Sequence, residues 1–396
     1  MFQSVPLAPP DAILGLSEAF AKETNPAKIN LSIGVFCDET GKTPILATVK
    51  EAERRILETE ASKGYLPIDG SPAYAQAVQA MMFGAGHEVI TSKRATTSHT
   101  PGGTAALRVA ADFIKRNFPT ATVWLSDPTW PNHPQIFDAA GVPVKVYPYF
   151  DAAANSLALD RTLAALGQVA AGDFVLVHGC CHNPTGIDPT VEQWRQIAAV
   201  LAARGATALV DFAYQGFGRG LAEDAAGLLA ILQPGTEMLI CSSFSKNFGL
   251  YKERVGALTA VSKDAETAAK VQSQIKAVIR ANYSNPPSHG GAIVATILGD
   301  AALRAQWETE LAAMRDRING MRQLFVATLK AKGVPRDFGF IERQLGMFSF
   351  SGLTKDQVQK LRDQFAIYMV GNGRINVAGM RPATMDRLCE AIKSVM

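Results

Sequence analysis

The sequence predicts an α/β fold: a large domain built on a mostly parallel sheet with helices on both faces, and a smaller α+β domain. Three observations carry this. Between residues 95 and 261, apolar runs of strand length alternate with helical patterns of about 10–15 residues, which is the mark of βαβ units. The chemically distinctive residues (Gly103-Thr104, Trp130, Asn183, Asp211, Lys246) each fall just after a predicted strand, where open α/β sheets bind ligands. After about residue 265 the alternation stops, and a long helical region leads into short mixed elements.

The elements follow in order. Residues 1–10 contain three prolines and little periodicity; they read as an arm that needs a surface, such as a second subunit, to lie on. Asp11 can cap a short helix over 12–22, with Ile13, Leu16 and Phe20 on one face. A short strand is expected over 30–36, into a turn at Gly34, and 38–44 is a polar boundary turn. A charged amphipathic helix over 49–62 ends in the Gly/Pro-punctuated loop 63–70, which presents Tyr65; a helix over 71–83 follows. Strand 95–100 runs into Pro101-Gly-Gly-Thr104, which opens a helix to about 117 with Ala106, Val109, Ala110 and Phe113 on one stripe. Strands are expected over 122–126, 144–147, 173–178, 206–211, 237–241 and 255–261. Helices are expected over 132–140 and 191–204, the latter with Trp194, Ile197, Ala198 and Leu201 on one face. A helix over 265–281 carries Arg280 into a rigid Asn282-Tyr-Ser-Asn-Pro-Pro287 turn. The helical region 300–332 leads out of the sheet domain, to strands at 347–350 and 375–377 and helices at 355–365 and 382–395.

Composition narrows the function. The 396 residues are 47% hydrophobic and 19% charged, ordinary for a soluble globular protein. A net charge of +3, without a basic run interleaved with aromatics, is no nucleic-acid footprint. Neither a signal peptide nor an apolar stretch of membrane-spanning length is found. The five cysteines are odd in number and scattered, which suits a reducing cytoplasm rather than a disulfide framework.

Lys246 is the residue to explain. It leaves a buried strand end amid Ser242, Ser243 and Ser245. Such a lysine either snorkels to the surface or is held in a pocket where desolvation makes its amine a nucleophile toward carbonyl compounds, most often pyridoxal phosphate. Gly102-Gly-Thr104 opening a helix is a ready phosphate site, though most such turns are merely caps. Asp211, ending an apolar strand, can pair with a pyridinium nitrogen or cap a helix. Tyr214 can donate to a phenolate or simply pack in the core, and His133 can support Asp211 from behind. The amide of Asn183 is presented by a sharp Asn-Pro-Thr-Gly turn. Arg280 and Arg374, each held by a rigid segment, suit bidentate recognition of two carboxylates; surface arginine is the plain alternative. His178-Gly-Cys-Cys-His182 tempts a metal reading, but its spacing spans a strand end and a turn, and no metal is expected. Gly216-Phe-Gly-Arg-Gly220 lacks the third glycine of a dinucleotide loop.

Taken together, Tyr65-Leu-Pro-Ile-Asp-Gly70, Pro101-Gly-Gly-Thr104, Asp127-Pro-Thr-Trp-Pro-Asn-His133, His178-Gly-Cys-Cys-His-Asn-Pro-Thr-Gly186, Asp211-Phe-Ala-Tyr-Gln-Gly-Phe217, Ser243-Phe-Ser-Lys-Asn-Phe-Gly249 and Arg374-Ile-Asn-Val-Ala-Gly379 closely resemble the aspartate/aromatic aminotransferases, which are fold-type I pyridoxal-phosphate enzymes. The resemblance runs from the N-terminal arm to the last helix. It implies a seven-stranded, mostly parallel sheet in a large cofactor-binding domain (45–311), a small domain (11–44 with 312–396) and an arm (1–10). Lys246 would carry the internal aldimine and shuttle the α-proton. Asp211, with His133 behind it, would pair with the pyridine nitrogen; Tyr214 and Asn183 would bond the ring hydroxyl; Trp130 would stack over the ring. Gly103, Thr104, Ser243, Ser245 and Arg254 would hold the phosphate, joined by Tyr65 of a neighbouring subunit. Arg374 would clamp the α-carboxylate, with Gly34, Trp130 and Asn183 beside the substrate. Arg280 of the neighbour would meet the distal carboxylate. A cytoplasmic homodimer acting on amino and oxo acids follows, by ping-pong transfer to an acceptor such as 2-oxoglutarate.

Cys37, where aspartate-specific relatives often carry lysine, and the Leu-Pro after Tyr65 point toward aromatic substrates. The segments 38–44 and 282–287 look like the aspartate branch, so dual use is expected. The competing readings are β-decarboxylase or lyase chemistry with the same cofactor, and a non-catalytic protein on this fold; the intact set Lys246, Asp211, Asn183 and Tyr214 argues against the second.

Overall fold

The computed structural model describes residues 1–8 and 14–396. The expected cap Asp11 and the apolar Ile13 lie outside the described residues; the first helix is seen over Leu14–Lys22.

Seven strands form one sheet: β1 (Ala95–Pro101), β2 (Val123–Asp127), β3 (Val144–Pro148), β4 (Phe174–His178), β5 (Thr207–Phe212), β6 (Met238–Ser243) and β7 (Val255–Val261). Their spatial order is β1-β7-β6-β5-β4-β2-β3. Every pairing is parallel except those of β7, which runs antiparallel to both β1 and β6. That reversal sends the chain back along the sheet directly after the Lys246 turn. It also sets the residue before β7, Arg254, at the same sheet edge as the carboxyl ends of the parallel strands.

β4 and β7 are buried at every position, so they read as unbroken apolar runs rather than as alternations. Period two still sorts their side chains. Leu176, Leu209, Leu239 and Leu258 enter the core under helix α1 (Gly102–Asn117), with Ala106, Val109 and Phe113. Val175, Val177, Val210 and Ile240 enter the core on the other face, with Trp194 and Ile197 of the helix Val191–Arg204. Helix α2 (Ala265–Asn282) adds Ile275, Val278 and Ile279 to the α1 side.

The long helix α3 (Ala301–Ala331) buries Trp307, Leu311, Met314, Ile318, Phe325 and Leu329 along one stripe. Asp300 caps it, accepting from the amides of Ala302 and Leu303 at 2.9 Å each. Trp307 stacks on Phe248 at 4.3 Å and donates from Nε1 to the Asn247 carbonyl at 2.8 Å, which fastens α3 to the turn that carries Lys246.

Three small ladders complete the described residues: Ile29–Asn30 lies parallel to Ile367–Tyr368, Phe348–Phe350 antiparallel to Arg374–Asn376, and Phe150–Asp151 antiparallel to Ser156–Leu157. The strand expected over 30–36 is therefore corrected to Ile29–Asn30. Beyond it the backbone groups are satisfied by side chains instead of a ladder. The Ser32 amide donates to Asn30 Oδ1, the Phe36 amide to the Tyr251 hydroxyl, and Asn376 Nδ2 to the carbonyls of Ile33 and Val35.

Candidate active site

A cavity of about 380 Å³ opens at the carboxyl ends of β5 and β6. It brings together Gly34, Gly103, Thr104, Trp130, Asn183, Asp211, Tyr214, Ser243, Ser245, Lys246, Arg254 and Arg374. A larger cavity, about 600 Å³, lies between the end of helix Pro72–Phe83 and α3, and holds none of these groups.

Lys246 sits three residues past β6, in a turn closed by the Gly249 amide donating to its carbonyl at 3.0 Å. Its Nζ lies 4.8 Å from the centre of the Tyr214 ring. Burial pulls its pKa down to about 8; the Asp211 carboxylate opposes this and the Arg254 guanidinium assists it. About a tenth of the amine is thus neutral at pH 7, far more than for an ordinary lysine, as a nucleophile or base requires. The surface-seeking reading of this lysine fails.

Asp211 is the penultimate residue of β5 rather than its last, because the strand runs one residue further than the pattern predicts. Burial alone would raise its pKa, but the His133 hydrogen bond and its electrostatic interactions with His133, His178 and Lys246 hold it below the ordinary value. His133 lies behind Asp211 and outside the cavity lining, as the first link of a buried chain. His133 Nε2 is 3.0 Å from Asp211 Oδ2, Thr129 Oγ1 is 2.8 Å from His133 Nδ1 and 3.1 Å from His178 Nε2, and the Asn183 amide is 3.5 Å from His178 Nδ1. The ends of this chain fix its polarity. A backbone N–H can only donate and an ionised carboxylate can only accept. So Asn183 donates to His178, His178 to Thr129, Thr129 to His133, and His133 to Asp211. His178 belongs in this order as a neutral ring, burial having pushed its pKa down to about 3.

The histidines of the His178–His182 motif are held by protein partners. His182 is held by Ser126 and Thr185 and stacked on Tyr149 at 4.0 Å, so protein partners occupy its ring nitrogens. Cys180, Cys181 and Asp224 do bring ligand atoms within 4.8 Å of one another. Asp224, however, already accepts from the amides of Gly216, Gly218 and Arg219, and burial raises the pKa of both thiols.

Opposite Asp211, the N-terminus of α1 meets the ends of β6 and β7. Gly102 has φ +81, and a Cβ on Gly256 would sit 2.4 Å from the Gly102 carbonyl carbon, so the three elements touch through glycine. Thr104, Ser243 and Ser245 supply hydroxyls to the cavity wall. Arg254 donates to Ser245 Oγ at 3.2 Å and pairs with no carboxylate among the described residues. Free helix amides, hydroxyls and an unpaired guanidinium make an anion site, and the glycines leave room for a phosphate.

At the far wall Arg374 is 2% exposed and faces no carboxylate among the described residues. Nη1 donates to Asn183 Oδ1 at 3.2 Å, Nη2 to the Ser32 carbonyl at 2.6 Å, and Nε is buried without a partner. Burial lowers its pKa to about 10, so it stays charged.

Two expected residues are absent from the cavity. Tyr65 is 95% exposed on its loop, and Arg280 is exposed and donates to Ser284. Tyr251 and Phe348 line the cavity without having been expected there. Tyr251 was within reach of sequence reasoning, since it lies in the Lys246 turn; Phe348 carries no local signal. Thr129 and His178 were visible in motifs but not as links between Asn183 and Asp211.

Comparison with known proteins completes the description. Residues 26–392 match the family model "Aminotransferase class I and II". The chain is 57% identical to an aspartate aminotransferase of Salmonella typhi over 396 residues, covering 100% of both chains. It is 44% identical to an aromatic-amino-acid aminotransferase of Escherichia coli over 397 residues, again with 100% of both covered. Among solved structures, an aromatic-amino-acid aminotransferase from Burkholderia pseudomallei, covalently bound to pyridoxal phosphate, superimposes with a TM-score of 0.97 at 48% identity, over 100% of this chain and 99% of that one.

Proposed function

The chain belongs to the class I and II aminotransferases, and from that premise we propose that it transfers amino groups from L-aspartate and, more weakly, from aromatic amino acids to an oxo acid such as 2-oxoglutarate. Pyridoxal-phosphate-dependent transamination itself is the activity of the family. The order of preference is supported by identity: the relatives at 57%, 56% and 54% are aspartate aminotransferases, and the aromatic and tyrosine enzymes follow at 48%, 45% and 44%.

Pyridoxal phosphate, when bound, supplies the electron sink that makes the substrate α-proton removable. The residues of this chain do the rest. The α1 N-terminus, Thr104, Ser243, Ser245 and Arg254 hold the phosphate. Asp211, kept ionised by the relay behind it, would face the pyridine nitrogen and favour its protonated form. Tyr214, Asn183 and Trp130 would hold the ring. Lys246 would anchor the group through its amine and serve as the base for the α-proton. Arg374 holds the α-carboxylate, with Gly34 beside it. The single observation that carries the reading is the cavity that gathers a buried Lys246 with Asp211 and Arg254, where burial draws the amine's pKa down to about 8.

A homodimer completes the site in this reading. Tyr65 and Arg280 are too exposed to serve their own cavity, and Phe2 and Leu7 of the N-terminal arm are 83% and 99% exposed. From a partner, Tyr65 reaches the phosphate and Arg280 the distal carboxylate. The division into arm, small domain (11–44, 312–396) and large domain (45–311) belongs to the same proposal. Its second cut falls inside α3, at Leu311, so this helix would carry any closure. No helix of the described residues is long and apolar enough to cross a membrane; the cytoplasm is the proposed location.

The test is the visible spectrum of the holoenzyme with L-aspartate or L-phenylalanine and no acceptor. Conversion of the cofactor band by both, faster with aspartate, is expected. Faster conversion by phenylalanine reverses the preference, and conversion by neither defeats the proposal.

A further inference from the structure

Arg322, on the C-terminal half of α3, is 1% exposed. No carboxylate pairs with it among the described residues. Its partners are all neutral: Nη2 donates to the carbonyls of Gly346 and Phe348 (the latter at 3.0 Å), Nε to Ser349 Oγ at 3.3 Å, and Nη1 to Asn319 Oδ1 at 3.2 Å. Burial draws its pKa down to about 10. The Asp188 carboxylate and Cys181 favour its charge from beyond hydrogen-bonding range, but a buried ion is a poor way to stabilise a fold, since apolar side chains of similar volume often do as well or better. Its retention calls for another account.

The segment it holds runs along the cavity wall. The Phe348 ring lies 4.2 Å from the Arg374 guanidinium and edge-on to Tyr214 at 6.0 Å. It also presses on Gly34, where a Cβ would sit 2.7 Å from the ring tip. The backbone around it is pinned as well. Gly346 has φ +80 and leaves no room for a Cβ beside Cys181, and the Leu345 amide donates to the Gly186 carbonyl. The ring therefore follows the two carbonyls, and the carbonyls follow Arg322.

We propose that Arg322 is a positioning residue for substrate binding: by fixing the carbonyls of Gly346 and Phe348 it sets the Phe348 ring, and the ring sets the plane of the Arg374 guanidinium over the cavity. The inference rests on the reading of Arg374 as the carboxylate clamp. It needs the planar fork of arginine, because a lysine ammonium is a single point and cannot reach the same spread of oxygens.

The experiment compares Arg322→Met, Arg322→Lys and Arg374→Lys with the parent as holoenzymes. Succinate, a dicarboxylate with no amine to react, is titrated against the cofactor's visible band, and KM and kcat are measured with aspartate. Both Arg322 variants are expected to weaken succinate and raise KM by roughly tenfold or more, a misplaced contact costing up to about a hundredfold. Arg322→Lys should be the milder, and kcat at saturation and the band maximum should hold. Unchanged succinate affinity in Arg322→Lys overturns the proposal, even if Arg322→Met does not fold. So does a fall in kcat with KM unchanged, or a shifted band, since either marks general damage. Weakened binding in Arg374→Lys with the Arg322 variants at parent values sinks this inference alone; unchanged binding in Arg374→Lys sinks the clamp and the inference together.

Discussion

The two ends of the cavity are built differently. At the cofactor end, Asp211, Lys246 and the α1 N-terminus stand on the ends of buried strands, and Asp211 is wired through His133, Thr129 and His178 to the Asn183 backbone. At the substrate end, Arg374 stands on a three-residue strand, Gly34 on an irregular segment, and a buried guanidinium nitrogen has no partner. At the first end Asp211 is held in place before any ligand arrives, and the free donors are gathered at the α1 N-terminus and Arg254. The second keeps donors unspent, which is what a site must do if it is to hold one carboxylate after another and release each.

If that contrast is right, damage at the cofactor end should abolish turnover, and damage at the substrate end should mainly raise KM. Lys246→Ala comes first. Losing both the covalent hold and the proton carrier should reduce kcat by about 10⁴-fold or more, and a steady-state assay within tenfold of the parent would break the mechanism. Next, Asp211→Asn removes the carboxylate proposed to keep the pyridine nitrogen protonated. A loss on the order of 10²–10⁴-fold in kcat is expected, of the size seen for a positioned proton-handling group; an effect confined to KM would place Asp211 at the wrong end. Arg374→Ala deletes a charged partner for a carboxylate and should cost about 2–5 kcal/mol in kcat/KM, mostly through KM. The smallest change, Thr129→Val, cuts the relay between two histidines. A cost of about 1 kcal/mol is expected, read as a displaced acidic limb in the pH profile of kcat/KM.

The contrast also has a pH signature. His178 and His99 have pKa values pushed down by burial, from 6.5 to about 3 and about 4, and His182 is lowered too. A depressed histidine contributes stability that is complete above the unfolded value and is lost as pH falls through the folded one. Asp188, raised by burial from 3.8 to about 6, has the opposite sign: its contribution is complete below 3.8 and lost as pH rises through 6, so it offsets part of the loss. The net expectation is a melting midpoint that drops between pH 6.5 and 4, by a few kcal/mol of stability at pH 5. A flat midpoint over that range would mean that these rings are not held neutral.

The same contrast decided what the sequence could disclose. The cofactor end is carried by strand termini, and periodicity placed Lys246, Asp211 and Gly103 within a residue or two of where they stand. Elements whose local signal is misleading escaped. Helix Leu221–Ile231 is apolar nearly all round, because both sides are covered and a Cβ on Gly227 would strike the Trp194 indole. Helix Ser288–Gly299 carries Gly290 and Gly291, which read as breakers but are there for close packing on Val255 and His99. The reversal of β7 leaves no mark in composition, because an antiparallel strand buried on both faces is as apolar as a parallel one. At the substrate end, Phe348 and Arg374 are joined only through tertiary contacts, which no spacing rule reaches.

That reversal has a practical side. Because β7 turns back immediately, residues 244–254 hold the lysine proposed to bind the cofactor, the arginine of the proposed phosphate corner and the tyrosine that accepts from the Phe36 amide, all on one short connection. An engineer moving this chemistry to another scaffold could not graft the lysine alone. The connection and the two antiparallel strands that bracket it are the smallest transferable part, and a single inserted residue within it would put lysine and arginine out of step with each other.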